Sequence, residues 1–438
     1  MELLVYTPAA PPRVRYAFSL LFDSALKARY AFTTDPAAYL AAAGPRLNYS
    51  MAPLAAQEVW LPAGPLLHEQ GVEPLAISFF QHQGLPAFFR QGDAPGAALP
   101  FDLPALAFFL ASRYEEYLPF APDALGRFPA EASSAYRGGF LEQPLINQWA
   151  RRLAALLSAR FPELEIQFPA YRFQPSYDID MAWAYRHRPL WLTAAASLRD
   201  LLQGQWGTSW ERLLVLARQR EDPFFTFDYL QQLHQQHDLS PLFFFLLGDW
   251  GAYDKNIKPT VPAFQRLLRQ LAAQARQVGL HPSYRAQHQT GQLEKEAQRF
   301  TAILGQPLQH SRQHFLLLRF PHTYQRLLSI GIQHDYTMGF ADAVGFRASL
   351  ATPFPWYDLT AERTAPLLLH PFAAMDTTLR KYMTLPPAAA AAKLCALADS
   401  VREVGGDFIT LWHNSSFSVH HGWLGWRAVY EKVVSYAR

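Results

Sequence analysis

From about Tyr171 onward the chain repeats a single rhythm, a short apolar run followed by a longer helical stretch. Runs at 173–180, 241–247, 278–281, a short piece ending near Ser311, 331–335, 367–370 and 408–412 have the length and apolar content of buried strands. Helical spacing at 261–277, 291–304 and 387–404 falls between them. Few architectures satisfy such an alternation. Parallel strands need a crossover between neighbours, so the pattern predicts a β/α barrel or a doubly wound sheet. Ionisable residues gather at the C-terminal ends of these runs: Asp178 and Asp180, His281, Arg312 and His314, Asp335, His370, His413. In barrels that end is where sites are built.

The preceding part reads differently. At 438 residues the chain exceeds the size at which one core keeps growing, so two domains are expected, with boundaries at 1–165 and 166–438. Residues 1–165 read as a smaller α+β domain. Strands are predicted at Leu3–Tyr6, 16–22 and 75–80, and amphipathic helices at 104–117 and 143–160. This part carries no nucleophile motif, metal-ligand cluster or glycine-rich phosphate loop. The run Arg113, Tyr114, Glu115, Glu116, Tyr117 reads either as the lining of a site or as the solvated end of a helix.

Half the residues are apolar and 17% are charged, which excludes a disordered chain. A formal net charge of +3 with scattered Lys and Arg leaves no electrostatic footprint for nucleic acid. The single cysteine, Cys395, sits in an Ala/Leu-rich stretch that reads as a buried helix face, and it cannot form an internal disulfide. An acid at position 2 and no basic segment before an apolar run argue against a signal peptide. No apolar run approaches the roughly 20 residues needed to span a bilayer. The expectation is a cytoplasmic protein with no membrane span.

In Asp178-Ile179-Asp180 the two carboxylates are two residues apart, so on a strand they share a face. Such a pair can divide labour, one oxygen set coordinating a cation and the other taking a proton, or it can be surface decoration. His281, before Pro282 at a predicted strand end, offers an imidazole suited to zinc or a similar cation, although single histidines are commonly structural. Arg312 and His314 place a guanidinium and an imidazole on one face of an extended segment. His413 follows an apolar strand and precedes Asn414, a position from which it could act as a general acid. Tyr284, Tyr336, Trp356 and Trp412 offer ring faces for sugars or fill the core. Arg347 either binds an acidic sugar or pairs with Asp342.

The order of these motifs resembles the NodB-homology polysaccharide deacetylases. The wording H-P-S-Y (281–284), S-R-Q-H-F-L (311–316), D-Y-T-M-G-F (335–340), G-F-R-A (345–348), H-P-F-x-x-M-D (370–376) and L-W-H-N (411–414) looks like a divergent branch, in which a barrel follows an N-terminal domain of unassigned function. The resemblance covers roughly residues 170 to 438 and implies a distorted (β/α) barrel and a divalent metal, most often zinc. It implies Asp178 as general base, Asp180 and His281 as metal ligands, Arg312 orienting Asp178, and His413 as general acid. The implied reaction is hydrolysis of a linear amide, removing an N-acetyl group from an amino sugar, oligosaccharide or polysaccharide precursor. Other readings are hydrolysis of another non-peptide C–N bond, or carbohydrate binding without turnover. The sequence departs from the family where a second histidine is usual four residues after the first. Arg285 stands there, and a guanidinium cannot ligate a metal. His314 is the candidate third ligand, ahead of His288 and His370.

Overall fold

The computed structural model describes residues 1–92, 94–420 and 422–438. Its first part is built on a parallel sheet of β1 (Leu3–Tyr6), β2 (Tyr30–Thr33), β3 (Arg46–Ser50) and β4 (Val59–Pro62), in the order β2-β1-β3-β4. A hairpin of β5 (Phe80–His82) and β6 (Leu85–Ala87) follows. Residues 16–22, expected as a strand, instead lie in the helix Pro12–Ser19 and the π-helical turn Leu20–Ala25. Tyr16, Ala17, Phe18, Leu20, Leu21 and Phe22 are all buried, and an apolar segment buried on every side has no periodicity to separate helix from strand. Pro12, at the first helical position, is the signal that points to the helix. Residues 75–79 form no strand.

The second part carries β7 (Tyr171–Ile179), β8 (Leu242–Phe245), β9 (Gln277–Leu280), β10 (His310–Ser311), β11 (His334–Asp335), β12 (Phe354–Asp358), β13 (Arg363–Leu369), β14 (Ala374–Met375) and β15 (Gly406–His413). They form one sheet in the order β12-β13-β11-β10-β9-β8-β7-β15-β14, parallel except for the β12–β13 pair. Helices Pro262–Gln274, Gln292–Leu304 and Pro387–Val404 occupy the crossovers, close to their expected positions. Cys395, expected on a buried helix face, is half-buried.

The sheet is rolled. With neighbours about 4.8 Å apart, a flat sheet would hold β7 and β10 roughly 14 Å apart. Yet Arg312, one residue beyond β10, donates from Nη1 to Asp178 Oδ1 of β7 at 3.1 Å. The Phe244 and Tyr336 rings, from β8 and just beyond β11, likewise lie 5.1 Å apart inside the roll. The ladder does not close: β12 and β14 are its two edges, so the hydrogen bonding stops short of the expected (β/α) barrel and the class shown is mixed α/β.

The two parts are joined by buried charge. Arg113 and Arg347 flank Glu116, with Arg113 Nε 2.7 Å and Arg347 Nε 2.8 Å from Glu116 Oε1. Glu115 accepts from Ser134 and Arg113. The 113–117 run is therefore neither a solvated helix end nor a site lining; its three charged residues are all buried. Two cations hold the Glu116 carboxyl below the usual carboxylate range against the opposing effect of burial. Gly345 (φ +124°) passes so close to the Leu141 carbonyl that no Cβ fits, which lets Phe346 N–H donate to that carbonyl at 2.8 Å.

Glu116→Gln leaves two buried guanidinium groups without their full counter-charge. Its expected cost is roughly 3–5 kcal/mol, read as a lowered urea midpoint in a single transition that both parts share. A second effect follows from His310, His334 and His370, which cluster before Arg312 on the inner face, with His334 Nδ1 3.1 Å from His370 Nε2. Burial lowers all three below the ordinary imidazole value, His310 to about 4. Between about pH 6.5 and 4 the unfolded chain binds protons that the folded chain refuses, so stability should fall as pH falls through that window. Thermal melts at stepped pH, with His310→Gln showing the shallower slope, check this.

Candidate metal and hydrolytic site

The inward face of β7 delivers Ser176 and Asp178, and Asp180 follows at its end. Arg312 is wholly buried and held at three points: Asp178 Oδ1, Ser176 Oγ at 2.8 Å and the Tyr336 carbonyl at 3.0 Å. Its guanidinium lies 4.4 Å from the centre of the Phe244 ring. Three bonds fix the guanidinium, and the one to Asp178 Oδ1 leaves that carboxylate's Oδ2 facing His281 Nε2 at 3.7 Å.

Asp180, His281 and His314 converge. One oxygen or nitrogen from each lies within 4.8 Å of the others. His281 Nε2 is 3.3 Å from Asp180 Oδ1, and His314 Nε2 is 3.8 Å from Asp180 Oδ2. Each imidazole is turned by a bond at its other nitrogen. His281 Nδ1 donates to the Arg312 carbonyl at 2.6 Å, and His314 Nδ1 lies 2.9 Å from Asp254 Oδ1. Bonds of that kind leave Nε2 free to ligate. Asp180 Oδ1 is buried with no hydrogen-bond partner. A buried carboxylate oxygen left unsatisfied beside two aimed imidazoles is costly unless a cation completes it, and one carboxylate with two imidazoles suits zinc or a similar ion. The residues fit the metal that the sequence implies. Burial would raise the Asp180 carboxyl, but its neighbours His314, His281 and His413 outweigh burial and hold the group well below the usual range.

His413 closes the site from β15, with Nε2 3.8 Å from Asp180 Oδ2 and Nδ1 2.9 Å from Asp376 Oδ1. Asp376 also accepts from the His413 backbone N–H at 2.8 Å and from Ser416. Burial opposes the imidazolium, yet Asp376, Asp180 and Asp178 together push His413 up to about 10.

Six of the sequence-derived site residues therefore meet: Asp178, Asp180, His281, Arg312, His314 and His413. The four residues expected at substrate do not line the cleft. Arg347 pairs with Glu116 rather than Asp342, whose carboxylate accepts from Ala130 N–H. Trp412 is buried on the outer face against Tyr430, at a strand position that alternates away from the site. Tyr336 is stacked on His370 inside the roll, 4.3 Å between ring centres. Tyr284 stands outside the cleft wall, 4.2 Å from the Tyr253 ring and 4.5 Å from His288. His288 and His370 lie away from the three donors. Arg285 contributes its backbone N–H to Asp254, at 3.2 Å, and so supports His314 indirectly.

Sequence reasoning missed Asp254 and Asp376. Asp376 ends the quoted H-P-F-x-x-M-D motif without being given a role, and Asp254 lies in a loop with no motif around it. It missed the cleft wall too. The cleft has a volume of about 360 Å³; besides Asp178, Asp180, His281, His314 and His413, its lining includes Phe315, Met375, Lys381, Tyr382, Trp423 and, from the first part of the chain, Arg127. Arg127 is fixed by Asp123 at 2.7 Å, the Phe315 carbonyl at 2.9 Å and the Tyr382 hydroxyl at 3.0 Å.

Residues 3–162 match DUF7033, a family of unknown function. No curated protein matches the chain. Among solved structures the chain is similar to a protein from Mycobacterium smegmatis assigned to the polysaccharide deacetylases, at 13% identity and TM-score 0.38, covering 61% of this chain and 87% of that one. A Pseudomonas aeruginosa protein with the same assignment gives 14% identity and TM-score 0.36, over 61% of this chain and 85% of that one. A polysaccharide deacetylase from Bacillus cereus gives 14% and 0.27, over 48% and 80%.

His314→Ala should weaken zinc or cobalt binding about tenfold or more, and Asp254→Asn, which removes only the orienting charge, should cost about 10–100-fold. Arg285→Ala should leave the affinity unchanged. Calorimetric titration of the purified protein reads all three, and an unaltered affinity in His314→Ala would exclude it as a ligand.

Proposed function

We propose that the protein is a metal-dependent hydrolase that removes an N-acetyl or other N-acyl group from an amino sugar or a saccharide built from one. The observation that carries this reading is the convergence of Asp180, His281 and His314 between two differently supported proton-handling groups, Asp178 and His413. A divalent cation held by the three donors would supply Lewis acidity, polarising an amide carbonyl and acidifying water beside it.

The chain's own groups would divide the proton work. Asp178, oriented by its bond from the buried Arg312, is placed to take a proton from the attacking water. His413, with Asp376 at Nδ1, carries a proton at Nε2 that it can give to the leaving nitrogen once the C–N bond breaks. Asp376 stabilises that imidazolium, the part a carboxylate plays behind a catalytic histidine. Tyr382 and Trp423, aromatic residues of the cleft lining, would pack against a saccharide, and Arg127 and Lys381 would meet its polar or anionic substituents.

Acetate release from N-acetylated sugars, nucleotide sugars and oligosaccharides by the metal-loaded protein tests the reading. Asp178→Asn should lower kcat by about 10²–10⁴ while keeping the metal, the size expected for loss of a general base. Saccharide binding without acyl release by the unmutated, metal-loaded protein would instead identify a binding protein.

A further inference from the structure

Directly after Asp180 the chain leaves the sheet and forms a helical hairpin, Leu190–Leu202 and Trp206–Leu216, turning at Gly204 (φ +71°). Its burial is inverted. In the first helix the only buried residue is Asp200; in the second they are Ser209, Glu211, Arg212 and Val215. The helices are held together by polar contacts: Arg212 reaches Asp200 Oδ2 at 2.5 Å and Ser197 Oγ at 2.8 Å, and Tyr185 donates to Glu211 at 3.1 Å. The apolar residues point outward. Leu190 is 86% exposed, Leu202 80% and Trp206 68%, with Trp191, Leu198, Trp210 and Leu213 also more than half exposed. Trp206, Trp210, Leu213 and Ala217 follow helical spacing along one stripe. A hairpin that keeps its acids inside and its tryptophans outside is arranged for an apolar neighbour.

Charge selects that neighbour. Between Arg186 and Arg220 there are six arginines, and the only acids, Asp200 and Glu211, are both buried. Arg199, which also pairs with Asp200, and Arg218 and Arg220 are exposed, against one exposed acid directly after them, Glu221, so the surface shows Leu, Trp and an excess of guanidinium. A second copy of this face would bring together two surfaces that each carry an excess of positive charge. An anionic bilayer satisfies both features, since tryptophan prefers the headgroup boundary and arginine the lipid phosphates. Among the described residues no helix is long and apolar enough to cross a membrane, so the contact is with the interface. The patch continues towards the cleft: Glu211 lies 3.3 Å from His420, in a loop that exposes Val419 and Leu424 and places Trp423 on the cleft wall.

We propose that this hairpin is an interfacial anchor that seats the protein on anionic membrane surface. The inference is independent of the hydrolase reading, and its test needs neither metal nor sugar. The full chain is mixed with vesicles of phosphatidylcholine alone and of phosphatidylcholine with phosphatidylglycerol, then separated by flotation. Binding to the mixed vesicles is expected, with Trp206→Ser/Trp210→Ser lowering the partition coefficient about tenfold or more while the melting curve is unchanged. Arg218→Glu/Arg220→Glu should remove the preference for phosphatidylglycerol. Failure of the unmutated protein to bind, or binding that the tryptophan variant retains, overturns the proposal. So does a dimer, seen by light scattering, that the same substitution dissolves without any vesicle binding.

Discussion

The site depends on one buried cation. Arg312 has no contact with solvent, and a guanidinium so placed is tolerable only when its donors are met. Meeting them draws together Ser176 and Asp178 of β7 and the carbonyl that follows β11, while the arginine's own carbonyl turns His281 at the end of β9. Strands that a flat sheet would keep apart are thus tied through one side chain, and the roll and the orientation of the Asp178 carboxylate share a cause. A lysine could not do this, since an ammonium lacks the planar fork that serves three acceptors on different strands.

Legibility in the sequence followed the chemistry of each position. The strand–helix rhythm placed most elements of the second part, because parallel strands buried on both faces carry continuous apolar runs. Asp178, Asp180, His281, Arg312, His314 and His413 stood out because each ends such a run with a group that the core would not otherwise accept. Asp254 and Asp376 did not stand out: they touch the site only through histidines, and nothing local in the sequence marks a carboxylate as facing an imidazole. Trp412 and Tyr336 show the opposite error. Both are aromatic residues at strand ends, but the alternation of the strand turns Trp412 outward and packing fixes Tyr336 beneath the site. Arg347 was read against its sequence neighbour Asp342, whereas its partner lies 231 residues away. Closure of the sheet was out of reach for the same reason, since edges are settled by pairing.

In the proposed site the histidine that Arg285 displaces is supplied from elsewhere in the chain. His314 comes from the segment after β10, and the Arg285 backbone helps hold the Asp254 that orients it. The three donors therefore rise from the ends of three different strands rather than from one turn of chain.

The seam between the two parts bears on how such a chain can change over generations. Arg113, Glu116 and Arg347 must be compatible at once, Gly345 must stay without a side chain beside Leu141, and Arg127 must reach the cleft. A lineage that exchanged the first part for an unrelated one would inherit stranded charge at the seam and a pocket lacking a wall. The two parts are thereby constrained to change together, and substitutions on either side of the seam should be found to accumulate in matched pairs.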